Sequence, residues 1–350
     1  MPPLATLAII SPGDMGSAIA KLLIAHNYRV ITNVSDRSPS THTRAQSSGI
    51  DLLPTDKELL LQSDYILSIV PPRDAVKTAE RFVQAWKEMK AQVEIEREKG
   101  VGEKGGVRKE EEEEEEEGEK GGGERERERG LWYVDLNAVS PGTARGVGGL
   151  WEGMGVRFVD GGIIGGPPKL QQDGNWTKPS LVLSGPHQLP NHLSETLNAT
   201  HVGDEIGKAS GLKCCFAATS KGLIAIAVQS LTTAKRMGVL EELREMLGVH
   251  NPAVKGVLER GVGGMPPKAY RWIDEMKEIA RTMREEGGWE GGGRDRGSGG
   301  GGDLFECVSE IYGVVEEVLG ENATAGTVED VVGLIGEGVG RRQGGEPGEL

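Results

Sequence analysis

The chain has 350 residues, a formal net charge of -14 and 37% hydrophobic residues, enough for two domains with at least one sizeable core. No run reaches the roughly 18 to 20 consecutive apolar residues of a membrane helix, and no clustered basic face is present to meet nucleic acid phosphates. The three cysteines, Cys214, Cys215 and Cys307, are too few for a disulfide framework and lack metal-ligand spacing, so no metal site is expected.

Leu4–Ile10 reads as a first strand running straight into a glycine turn, with no basic leader or cleavage site before it, so a cytoplasmic address is expected. A helix follows at 15–26, a strand at 28–33, a helix at 41–48 and short elements at 50–53 and 56–61. Asp64–Val70 reads as a buried strand and Arg73–Lys90 as a helix opened by Pro71-Pro72. This alternation is that of a parallel sheet covered on both faces. It breaks over about 94–130, where eight consecutive glutamates (Glu110–Glu117), glycine pairs and a Glu-Arg tract predict a disordered acidic insertion. The pattern resumes with a strand at 131–136, a helix at 141–151 and strands at 156–160 and 180–184. From residue 205 the sequence reads as helices, beginning with a long buried one over 205–237.

The predicted architecture is a doubly wound α/β Rossmann domain over 1–204 and an all-helical domain over 205–340. The helical domain carries a Gly-rich loop at about 287–302, and 341–350 forms a disordered tail.

The first strand ends in Ser11-Pro12-Gly13-Asp14-Met15-Gly16, a G-x-G-x-x-G fingerprint with serine at its first position. Its strand-turn-helix context gives Gly13 a role in pyrophosphate approach and Gly16 one in helix-strand packing. The amides from Ser11 through Asp14, Met15 and Gly16 are candidate nucleotide contacts. After the second strand, Asp36 stands where an acid holds a ribose 2′-hydroxyl in NAD enzymes. Arg37 and Ser38 follow at once and suit a 2′-phosphate. Spacing does not say which side chain points inward; the reading prefers NADP over NAD.

These motifs, in this order, resemble the β-hydroxyacid dehydrogenases, the group containing 3-hydroxyisobutyrate and 6-phosphogluconate dehydrogenases, and within it a branch with a phosphogluconate-dehydrogenase-like C-terminal domain. Ile10 to Leu23 is similar to the family's opening. Val70, Pro71 and Pro72 fall where its fourth strand meets the cofactor. Asp135 to Pro141 matches its fifth-strand segment, placing Asn137 and Ser140 beside the nicotinamide. Asp160–Gly166 sits on the substrate motif D-A-P-V-S-G-G, which gives Gly165 and Gly166 amides for a substrate anion. Gly207 through Lys213 resembles the G-x-G-x-x-x-K helix, which implies that Lys213 is the general acid/base.

A lysine desolvated against apolar neighbours, here Leu212, Cys214, Cys215 and Phe216, can lower its pKa toward that task. The chain departs from the family at Ile164 for serine, Ala217 for asparagine and Ala209 for glycine. Ser220 and Lys221, two turns beyond Lys213, are candidates to replace the lost polar contacts.

The expectation is an NADP-dependent dehydrogenase of a small hydroxyacid or polar alcohol. The alternatives are a catalytically silent NADP-binding sensor or scaffold, and a reductase of an imine-type substrate. A small-molecule substrate, no nucleic acid or membrane partner, and a homodimer through the helical domain are expected.

Overall fold

The computed structural model describes residues 1–102, 130–289, 304–320 and 323–342. Two compact units account for the chain. The first holds 1–70, 74–137 and 143–209; the second holds 71–73, 138–142 and 210 onward.

The first unit is built on a sheet of eight strands. In chain order they are β1 (Thr6–Ile10), β2 (Arg29–Thr32), β3 (Asp51–Leu52), β4 (Tyr65–Ser68), β5 (Trp132–Asp135), β6 (Arg157–Ile164), β9 (Ser180–Ser184) and β10 (Ala199–His201). Their spatial order is β10-β9-β6-β5-β4-β1-β2-β3. The strands from β3 across to β6 are parallel. β9 then runs antiparallel to β6, and β10 follows β9 in parallel, so the far edge is reversed. Such a sheet needs continuous apolar strands because both faces are covered. Leu7, Ala8, Ile9 and Ile10 of β1 and Tyr65, Ile66 and Leu67 of β4 are accordingly buried.

Helices α1 (Asp14–Ala25), α2 (Pro39–Ser47), α3 (Asp56–Gln62), α4 (Pro72–Gly102), α5 (Pro141–Leu150) and α6 (Asn191–Leu197) connect the strands. Ile19, Ala20 and Leu23 of α1 and Leu193 and Leu197 of α6 join Leu7, Val30, Leu67, Val134 and Val159 in one core. Strand order reverses between β1 and β4, and the loops at the carboxyl ends of these strands form the edge where such sheets bind ligands.

Three features differ from expectation. Helix α4 continues to Gly102, so the start of the expected acidic insertion is helical; residues 103–129 lie outside the described residues. Strand β6 runs on to Ile164, past the expected end at 160, because β9 offers it a partner from Asp160 through Ile164. A two-stranded ribbon, β7 (Lys169–Leu170) and β8 (Trp176–Thr177), and helix α6 carry no strong periodicity in the sequence. The expected Gly-rich loop beyond residue 289, and the tail beyond 342, also lie outside the described residues.

The second unit consists of α7 (Lys208–Arg236, its first two residues in the first unit), α8 (Leu240–His250), α9 (Pro252–Gly264), α10 (Ala269–Glu285), α11 (Leu304–Leu319) and α12 (Val328–Arg342), with a short 3₁₀ turn at Pro266–Lys268. Its core joins Ala225, Val228 and Leu231 of α7 to Met265, Trp272, Met276, Tyr312, Val332 and Ile335. By length and composition alone α7 is apolar enough to cross a membrane; part of that apolar surface, including Ala225, Val228 and Leu231, lies in this core, and part is exposed.

Candidate functional site: the carboxyl edge of the sheet and helix α7

The turn after β1 is built around Ser11, whose φ of 63° lies in the left-handed region. A serine there bears the strain that a glycine would avoid, roughly 1 to 2 kcal/mol. The turn closes with the Gly13 amide donating to the Ser11 carbonyl at 2.7 Å. Gly13 then begins α1 with no side-chain cap, and the space where its Cβ would stand is open to 4 Å. At Gly16 a Cβ would meet Ile9 Cγ2 and the Ser11 carbonyl, both at 3.1 Å, which is why helix and strand approach so closely only over glycine. Asp14 occupies the first turn and is exposed. The helix start thus presents unsatisfied amides and a partial positive charge to any anion above it.

Beyond β2, Asn33 Nδ2 donates to Asp56 Oδ1 at 2.8 Å, and the Ser35 amide and hydroxyl donate to Asn33 Oδ1. Asp36 pairs with Arg37 at 3.4 Å. Ser38 begins α2 and its hydroxyl meets those of Ser40 at 2.9 Å and Thr41 at 3.1 Å. Arg81, from α4, also reaches this loop. Its Nε lies 2.9 Å from Asp56 and its Nη1 3.7 Å from Asp36. Sequence reasoning missed Arg81 and Asp56, for no motif links positions so far apart in the chain.

At β4 and β5 the polar groups satisfy one another. Asn137 Oδ1 accepts from the Val70 amide at 2.7 Å, and its Nδ2 donates to Ser68 Oγ at 3.0 Å. The Asn137 amide donates to Asp135 Oδ1 at 3.0 Å. The Asn137 side chain therefore braces the Val70 loop. Asp135 is buried, with no hydrogen-bond partner on Oδ2. Burial pushes its carboxyl up to about 7, against the lowering effect of the Asn137 amide, and the charge of Asp160 on the neighbouring strand adds to the rise. Asp160 Oδ2 accepts from Ser184 Oγ at 2.8 Å and from the Gly207 amide at 2.9 Å. Ser184 Oγ in turn accepts from the Ala209 amide at 3.0 Å. Together these two side chains cap the start of α7.

Gly165 has φ 119°, and a Cβ there would lie 3.3 Å from Pro179 Cα; around Gly166 the space is open. Ile164 pairs with Ser180 on β9.

In the helical unit, Lys213 is half-buried, and burial lowers its pKa while the neighbouring Cys214 opposes the change. Among the described residues its amine has no hydrogen bond or ion pair. The sequence neighbours expected to enclose it do not all do so. Cys214 is buried, but Leu212, Cys215 and Phe216 are exposed, because adjacent residues on a helix point about 100° apart. Cys214 donates to the Val139 carbonyl, and burial pushes its thiol up to about 12.

Ala217, where the family has asparagine, is packed into the core. The Ser220 hydroxyl donates back to the Phe216 and Ala217 carbonyls of its own helix. Lys221 forms an ion pair with Glu275 and lies 5.2 Å from the Trp272 ring centroid. Burial holds its pKa well down, and the like charges of Lys213 and Arg271 push the same way. The Ser140 amide donates to Glu278 at 2.6 Å; Pro71 and Pro72 also belong to this unit. No group of three or more potential metal ligands occurs among the described residues.

Residues 6–91 match a family described as NADP oxidoreductase, coenzyme F420-dependent, and residues 234–321 match a domain of unknown function, DUF1932. A Methanothermus fervidus protein, an uncharacterised 28.5 kDa chain, is 24% identical over 243 residues, covering 69% of this chain and 75% of the relative. One solved structure is a conserved protein of unknown function described as similar to 3-hydroxyacid dehydrogenases. It shares 22% identity at a TM-score of 0.54, covering 89% of this chain and 97% of that one. The 3-hydroxyisobutyrate dehydrogenase of Mycobacterium tuberculosis, solved with L-serine, shares 14% identity at a TM-score of 0.56, covering 94% and 98%. The fold is that of the hydroxyacid dehydrogenases, a nucleotide-binding α/β domain followed by a helical one, as the motif order implied.

Proposed function

We propose that this chain is an NAD(P)-dependent oxidoreductase that prefers NADP and acts on a small hydroxyacid or related polar alcohol. The uncapped start of α1 carries the reading. The Gly13 amide closes the turn onto Ser11, the first-turn amides of Asp14, Met15 and Gly16 take no side-chain cap, and the space over Gly13 is open where the backbone of a nucleotide-binding turn must meet a pyrophosphate. The amides of Asp14 through Gly16 are assigned to that pyrophosphate, Gly13 to its close approach, and Arg37 and Ser38 to a 2′-phosphate. The match of residues 6–91 to an NADP oxidoreductase family supports the choice. When bound, the nicotinamide supplies or accepts the hydride.

Lys213 is assigned the proton. Its Nζ takes the proton of the substrate hydroxyl in oxidation and returns it in reduction, and burial, which lowers its pKa, makes the neutral amine that accepts the proton easier to reach. The Gly165 and Gly166 amides are assigned to a substrate carboxylate.

The reading is tested by following NADPH absorbance with a panel of oxoacids. The expected outcome is turnover that Lys213→Ala lowers by about 100-fold or more, with NADPH affinity kept within about twofold. NADPH binding with no turnover on any oxoacid would leave a nucleotide-binding sensor or scaffold.

We also propose that two copies pair through the helical unit. On α7, Ile226 and Met237 are 58% and 69% exposed, and no charged residue stands between Lys221 and Lys235. Both line a largely apolar groove of about 850 Å³ with Leu243, Ile311 and Val339. An uncovered apolar face of this kind marks an interface. Elution as a monomer at micromolar concentration would remove the proposal.

A further inference from the structure

The loop beyond β2 places two guanidinium groups against one carboxylate. Asp36 Oδ1 lies 3.4 Å from Arg37 Nε, and its Oδ2 lies 3.7 Å from Arg81 Nη1. Two arginines from separate elements, one at the strand end and one on α4, therefore converge on a single anionic group. We propose that Arg81 is a specificity-determining residue for the nucleotide. With Arg37 it reads the 2′-phosphate of NADP(H), and Asp36 holds the place of that phosphate until it arrives. This rests on the nucleotide-binding reading above and extends it to a residue outside the strand-end motif.

Three observations carry the assignment. First, Arg81 is held from behind. Asp56 faces its Nε at 2.9 Å and is itself fixed by Asn33 Nδ2. Asp56 is 16% exposed and faces Nε as an ion pair, without a hydrogen bond to that nitrogen, so the Nη edge is left for a second anion. Second, Asp36 is the more exposed partner. It is 58% exposed and can swing into solvent with little loss, whereas Asp56 cannot.

Third, each oxygen of Asp36 already faces an arginine. A carboxylate in that setting is a poor acceptor for a ribose 2′-hydroxyl, the contact an NAD enzyme needs. A phosphate bearing two negative charges would gain from both cations. The Ser38, Ser40 and Thr41 hydroxyls, gathered at the start of α2, are further donors on the same side of Arg37 in sequence, and α2 has no acidic residue in its first turn.

The test uses the full chain and two adenosine nucleotides, 2′,5′-ADP and 5′-AMP, with binding measured by calorimetry, so that no turnover is required. The proposal expects 2′,5′-ADP to bind tighter, and Arg81→Ala to weaken it about tenfold or more while 5′-AMP changes less than twofold. Asp36→Ala should tighten 2′,5′-ADP and leave 5′-AMP unchanged. Arg81→Lys, which keeps the charge but loses the fork, should fall between wild type and Arg81→Ala. Circular dichroism identifies any variant that fails to fold, and in that case Asp36→Ala decides.

Equal weakening of both nucleotides by Arg81→Ala, or weaker 5′-AMP binding in Asp36→Ala, would overturn the proposal; the second result would make Asp36 a ribose ligand. If neither nucleotide binds the wild-type chain, the nucleotide-binding reading falls with it. If both bind equally well, only the role of Arg81 is lost.

Discussion

Helices α1 and α7 both begin near the carboxyl edge of the same sheet, and the chain treats their starts in opposite ways. At α1 no side chain caps the first turn, Gly13 leaves open space, and only the Gly13 amide is spent, on the Ser11 carbonyl of the turn itself. At α7 a buried carboxylate and a buried hydroxyl, Asp160 and Ser184, take the Gly207 and Ala209 amides. Every helix start offers donors and partial positive charge. It becomes a ligand site only where the protein withholds its own acceptors.

The contrast can be broken at the capped end first. Asp160→Ala removes an acceptor shared by Ser184 Oγ and the Gly207 amide in a buried place, so a loss of about 3 kcal/mol in unfolding free energy is expected from urea titration. A loss under about 1 kcal/mol would mean that water or a relaxed loop replaces the cap.

The second test concerns the neighbour that the cap leaves with a raised pKa. Asp135 titrates near 7 in the folded chain, chiefly through burial, against an ordinary value of 3.8. A carboxyl raised on folding binds more protons in the native state, so stability falls as pH rises between about 4 and 7 and is flat above that range. The slope is at most about 1.4 kcal/mol per pH unit. In Asp135→Asn this component of the pH profile should vanish, with a gain in stability at pH 8. An unchanged profile would show that Asp135 is charged throughout.

The smallest effect lies at the open end. Asp14 is an exposed acid in the first turn of α1, where it competes with any bound anion. Asp14→Asn should tighten nucleotide binding about two- to fivefold at low salt, less at high salt.

The same contrast explains how much was legible beforehand. The apolar runs of β1 and β4, the glycines at 13 and 16 and the change to helices after residue 205 are short-range signals, and each led to the right element. What long-range packing decides was not readable. Asn137 had the spacing of a cofactor contact, and the sequence did not show that its side-chain amide also braces Val70 and Ser68, 67 and 69 residues away. Leu212 and Phe216 had the chemistry to shield Lys213, but helix geometry turns them outward. Arg81 had no motif at all and meets the β2 loop only because α4 packs where it does.

Ser11 has a consequence of its own. What the turn after β1 demands is a dihedral angle, and this chain meets the demand with the wrong letter. A pattern search spelled in glycines would pass over it, and over any relative that bears the same torsion with serine, asparagine or aspartate. The membership of such groups is better drawn by backbone shape than by orthography.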